Sequence, residues 1–145
     1  MKALIQRVTS ASVSVKGELV GEISQGLLLF LGVEKGDDMQ KADKLLEKVA
    51  KYRIFADKDD RMNLSLRDIR GELLVISQFT LVADTQKGLR PSFSSAGLPE
   101  ESNALYEYFI DQAAQSGLKV ATGCFGADMA VSLVNDGPVT FNLSV

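Results

Sequence analysis

Residues 130–145 read AVSLVNDGPVTFNLSV, and the reading of this closing stretch decides the fold class. Two runs of strand formers, AVSLV (130–134) and VTFNLSV (139–145), flank Asn135, Asp136, Gly137 and Pro138. Proline has no backbone N–H and fixes φ, so it does not suit a central strand, while Asn and Asp tolerate tight turns. The local reading is two strands joined by an ordinary turn. The alternative is functional, because a glycine ahead of proline carries no Cβ and leaves a bare carbonyl that can approach a ligand closely. The last run reaches the final residue, which predicts pairing at a sheet edge or across a subunit interface.

Working back along the chain, strands dominate. LKVATG (118–123) reads as one, and ELLVISQFTLVA (72–83) as another, bent or bulged near Ser77–Gln78. GLLLFLGV (26–33) is an unbroken apolar run between glycines, the pattern of a strand buried on both faces. KALIQRVT (2–9) and ASVSV (11–15) alternate, and Lys16–Gly17 turns into ELVGEI (18–23) as a hairpin partner. Tyr52–Phe55 suggests a short strand, 57–72 an exposed loop or hairpin, and 83–99 a loop rich in Gly, Ser and Pro. Two helices interrupt these. The spacing predicts one over about 38–51, capped by Asp37 or Asp38, with Ala42, Leu45, Leu46, Val49 and Ala50 on one face. The other, about 99–116, opens on Pro99, Glu100 and Glu101 and ends at Gly117. Its apolar face is Leu105, Tyr106, Phe109, Ile110 and Ala113. No repeat or linker divides the chain, so 1–145 reads as a single domain of α+β (mixed α/β) class.

Composition narrows the chemistry. The 145 residues are 46% hydrophobic and 24% charged, as in an ordinary globular protein. No apolar run is long enough to span a membrane, and MKALIQRV is no signal peptide, so no membrane partner and a cytosolic location are expected. A lone Cys124 permits no intrachain disulfide and reads as a small buried residue. Histidine is absent altogether. That excludes a Ser–His–Asp or Cys–His machine and any histidine zinc site, and neither metal nor cofactor is expected. A net charge of −3 argues against a general nucleic-acid coat, although Lys87, Arg90 and Lys119 suffice for a local phosphate patch.

Four segments carry candidate chemistry. SQFTLVAD (77–84) places Ser77, Gln78 and Thr80 in an otherwise apolar strand. They read either as a water-facing edge or as a pocket floor, offering a hydroxyl, an amide and backbone N–H groups for a developing oxyanion. Arg90–Phe93 is either a solvated loop or a phosphate contact. In GCFGADM (123–129), Phe125 suits stacking on a base and Met129 packing on a ring, with two core residues around a turn as the alternative. Arg7 is an isolated cation on an apolar strand, facing either a buried partner or solvent.

Taken together, SQFTLVAD, GLRPSF, FGADM and NDGPVTF, with QRV near the start, resemble the D-aminoacyl-tRNA deacylases along the whole chain. The resemblance implies a strand-rich, barrel-like sheet with two main helices, in a cytosolic, metal-free homodimer. Its substrate would be the 3′ end of aminoacyl-tRNA, not DNA. The reaction would cleave the ester between a D-amino acid, or glycine, and the terminal adenosine, sparing L-aminoacyl-tRNA. It also implies that a cis Gly137–Pro138 reaches into the partner's active site, braced by Arg7. Ser77, Gln78, Phe79 and Thr80 would surround the scissile ester as the catalytic wall, with Phe125 and Met129 near the adenosine. Departures are Asn142, where many relatives carry an aromatic, and Cys124 at a variable position. An aminoacyl ester is already activated, so the adenosine 2′-hydroxyl can assist water without a histidine. Thr80 as nucleophile ranks below this, having no adjacent base. A binding module should be more basic, and a generic esterase needs a nucleophile–base pair that the chain lacks.

Overall fold

The computed structural model describes residues 1–145. Strand β1 (Lys2–Val15) is its axis, fourteen residues long, and the two predicted N-terminal strands are this one element. One edge pairs antiparallel with β2 (Glu18–Ile23) along residues 11–15 and with β3 (Gly26–Gly32) along residues 2–8. The other edge pairs with β8 (Ala130–Ser144) over nearly its full length. Beyond β3 the sheet continues in parallel through β6 (Glu72–Ser77) to β7 (Lys119–Thr122). Parallel neighbours need crossovers. The first carries helix α1 (Met39–Lys51) and the β4–β5 hairpin (Phe55–Ala56 and Met62–Leu64), the second helix α2 (Pro99–Gln115). The predicted strand at Tyr52–Phe55 thus shrinks to the start of that hairpin.

Strand alternation separates two cores. Leu27, Leu29, Leu31, Leu73 and Val75 face the helices and pack on Leu45, Val49, Tyr106, Phe109 and Ala113. Leu28, Leu74 and Ile76 point the other way and meet Val8, Ala11, Val13 and Ile23 from the curled far half of β1 and from β2. The curl brings β2 back over β7: a Cβ on Gly21 would lie 2.6 Å from the Thr122 carbonyl oxygen. The result is the nearly closed, barrel-like sheet with two helices. All five predicted face residues of α1 are buried, and Asp38 caps it by accepting from Lys41 N–H at 2.9 Å.

Two further expectations are corrected. AVSLV and VTFNLSV are not separate strands joined by a turn, because β8 runs through Gly137–Pro138 without reversing. The sheet absorbs the proline by a jump in register. Gln6 pairs with Thr140 and Val8 with Asn135, so the four residues Asp136–Val139 stand opposite Arg7 alone. Proline needs no ladder partner there, because the β1 groups it would pair with have moved past it. Secondly, ELLVISQFTLVA is not one bent strand. It ends at Ser77, and Phe79–Val82 form a 3-10 helix.

Candidate active site

Residues 77–80 owe their placement to the end of β6. Gln78 N–H donates to the Leu31 carbonyl at 2.8 Å, and Leu81 N–H returns to the Gln78 carbonyl at 3.2 Å, which starts the 3-10 turn. This turn swings Phe79 and Thr80 out to the surface, and Phe79 is 60% exposed, with its ring 5.1 Å from Phe93. Strand alternation therefore does not govern these residues. The Gln78 side-chain amide touches the Thr80 hydroxyl, so the two polar groups meet instead of diverging.

Opposite stands the turn that follows β7. Ala127 N–H donates to the Cys124 carbonyl at 3.3 Å, which holds Phe125 and Met129 toward Ser77 across a cleft of about 520 Å³. The first turn of α2 forms its third side through Pro99 and Ser102. Of the sequence-derived site residues, Ser77, Gln78, Phe79, Phe125 and Met129 line this cleft. Thr80 adjoins it through Gln78. The remaining three, Arg7, Gly137 and Pro138, lie elsewhere in the same chain.

That second location has its own geometry. Arg7 Nη1 donates to the Ile54 carbonyl at 2.6 Å, and Nε donates to the Asp136 carbonyl at 3.0 Å. The Asp136 carboxylate is 3.3 Å from the same Nε. The guanidinium thereby fills the gap in the ladder opposite the four-residue bulge. Gly137 and Pro138 stand on the exposed crest of this bulge, joined by a cis peptide bond.

The one ionisable side chain lining the cleft is that of Asp128, and behind Phe125 lies Tyr106. Burial pushes the Tyr106 phenol up to about 12, and the neighbouring Cys124 adds to the shift. The phenol stays protonated and donates to the Val75 carbonyl at 3.0 Å. Its ring supports Phe125 at 5.8 Å between centroids. Cys124 is exposed, contrary to the expected small buried residue, because its short turn faces outward. Lys119 does not join Lys87 and Arg90 in a phosphate patch. It begins β7, at the end remote from the cleft, and pairs with Glu72 at 2.7 Å.

Ser102 and Tyr106 were absent from the sequence-derived site. Ser102 had a usable signal, a hydroxyl on the helical stripe that continues through Tyr106 and Phe109. Tyr106 had none, since its spacing is that of a core residue.

This arrangement of cleft, bulge and sheet extends over the whole chain, and so does its likeness to known proteins. A sequence profile of the D-Tyr-tRNA(Tyr) deacylase family matches residues 4–144. The chain belongs to this family. Proteins named D-aminoacyl-tRNA deacylase from Pseudoalteromonas translucida (strain TAC 125) and Photorhabdus laumondii are 65% and 63% identical to it over all 145 residues, each covered in full. Among solved structures, the c-Myc DNA Unwinding Element Binding Protein superposes with a TM-score of 0.94 at 36% identity, covering 100% of this chain and 99% of that one. A chain described as a probable eukaryotic D-amino acid tRNA deacylase shares the fold, with a TM-score of 0.84 at 14% identity over 99% of this chain and 98% of that one. Family membership makes the chain a deacylase, an enzyme of the hydrolase class.

Proposed function

We propose that the chain hydrolyses the ester linking a D-amino acid, or glycine, to the terminal adenosine of tRNA, and leaves L-aminoacyl-tRNA intact. The observation that carries this reading is a cleft lined by Ser77, Gln78 and Phe79 on one side and by Phe125 and Met129 on the other, within a family match over residues 4–144. Ser77, Gln78, Phe79 and Thr80 form the edge that meets the ester. The first N–H groups of a helix have no partner inside it, so the amides of Phe79 and Thr80 suit the oxyanion of a tetrahedral intermediate. Phe125 and Met129 form the edge that receives the adenine ring.

The chain contains no histidine; activation of the water is assigned to the substrate, whose departing 3′-oxygen takes up the proton. The 2′-hydroxyl beside the ester orients the attacking water, and Thr80 with Gln78 holds the carbonyl. The enzyme acts as a homodimer in the cytosol. Support for the dimer comes from β8, whose outer edge has no partner strand and whose Val134 is 57% exposed. Gly137 and Pro138 also line no part of their own chain's cleft. In the dimer they enter the partner's cleft, and their backbone clashes with an L-side chain where a D-substrate presents only hydrogen.

The test is release of amino acid from D-tyrosyl-tRNA, L-tyrosyl-tRNA and a simple tyrosine ester. Selective turnover of the first is expected. Equal loss of both enantiomers, or of neither, overturns the reading.

A further inference from the structure

Gly123 follows the last residue of β7 and feeds the chain into the turn that carries Phe125 and Met129. Its φ lies outside the left-handed region, so the backbone does not demand a glycine there; the space does. A Cβ at this position would lie 2.5 Å from Met129 Sδ, too close for atoms at rest, and 3.1 Å from Ile76 Cδ1, a tight contact that a shift of a few tenths of an ångström relieves. Met129 thus lies across the bare face of Gly123, its side chain packed on the second core cluster beside Ile76. There it completes the apolar wall of the cleft with Phe30, Ile76 and Val131.

We infer that Gly123 is a positioning residue: its missing side chain seats the Met129 thioether, and that seat sets the room for the ring bound in the cleft. The assignment rests on the reading of this cleft as the adenosine site. Thioether contact with an aromatic ring depends on the sulfur's position. Met129 has rotatable bonds with which to yield to a methyl group at Gly123, so Gly123→Ala should fold while reshaping the wall. The ester-cleaving residues stand across the cleft and keep their places.

A double-mutant cycle tests the assignment, with KM and kcat for D-tyrosyl-tRNA and the melting temperature measured for the unaltered protein, G123A, M129A and the pair. G123A is expected to raise KM about tenfold while kcat stays within about twofold, the mark of lost binding that ground and transition states share. Its melting temperature should match that of the unaltered protein. In the M129A background, G123A should have no further effect, since the sulfur through which it acts is gone. An unchanged KM in G123A, effects that add in the pair, or a rise in KM accompanied by a lower melting temperature would each overturn it. Failure of the unaltered protein to release D-tyrosine would instead overturn the functional reading, and this assignment with it.

Discussion

Thr80 and Gln78 meet because the chain turns sharply at the end of β6, and their contact separates two chemistries. If the RNA hydroxyl is the main catalytic group, Thr80→Ala removes only a positioning contact. We expect a loss in kcat of about tenfold, against several orders of magnitude for a lost nucleophile. Single-turnover hydrolysis measures it, and a tRNA ending in 2′-deoxyadenosine should resist the unaltered enzyme. At Gly137 the constraint is conformational. Its φ is +131°, and a Cβ there would lie 2.8 Å from Val139 Cγ2. Gly137→Ala should therefore destabilise the fold by about 1–3 kcal/mol and impair turnover of D-substrates. Urea unfolding and D-tyrosine release are the measurements. Asp37 makes a third residue-scale case. Burial alone would raise its pKa. Hydrogen bonds from the Met1 ammonium at 2.8 Å, the Glu34 N–H at 2.7 Å and Lys41 at 3.1 Å hold it below the usual carboxylate range. A depressed pKa stabilises the fold above the ordinary carboxylate pKa, and the contribution is lost as pH falls through the folded value. Asp37→Asn should therefore melt lower than the unaltered protein near neutral pH, and the gap should narrow in acid.

Elements differ in how plainly the sequence announces them. Helix α1 was legible because its apolar residues recur at helical spacing and Asp38 supplies a cap. Removing that cap by Asp38→Ala should cost about 1 kcal/mol in urea unfolding and leave turnover unchanged, as the helix lies away from the cleft. The apolar run of β3 was equally plain, since a strand covered on both faces needs no alternation. The 3-10 helix was not legible, because four residues carry no period and Phe79–Val82 continue the composition of β6. Nor was the continuity of β8. A proline inside a strand is tolerated at a sheet edge or where its partner strand skips, and the skip here belongs to the pairing with β1, 129 residues away at Arg7 and Asp136. The candidate site was readable as a set of segments, SQFT and FGADM. Their approach across the cleft, and the contribution of Ser102, depend on the path of α2, which local patterns do not encode.

At the scale of the whole molecule, the sheet assigns different duties to its two faces and its rim. The helix-covered face holds the larger core, with Phe109 fully buried at its centre. The curled face holds the smaller core, and the cleft opens beside it along Ile76, Met129 and Val131. At the rim, β8 presents the Asp136–Val139 bulge away from that cleft. If, as proposed, the site is divided between two copies, it can be repaired by mixing. One preparation would carry an alanine at Gly137 with a sound cleft, the other an altered Gln78–Thr80 pair with a sound bulge. Each alone should be much less active than the unaltered protein. After equal amounts are unfolded and refolded together, half of the pairs should be mixed, and each mixed pair holds one cleft completed by an unaltered bulge. About a quarter of the normal sites should return if subunits pair at random. Were bulge and cleft to work within one chain, the mixture would be no more active than its parents, so complementation between defective copies reads out which chain each half of the site comes from.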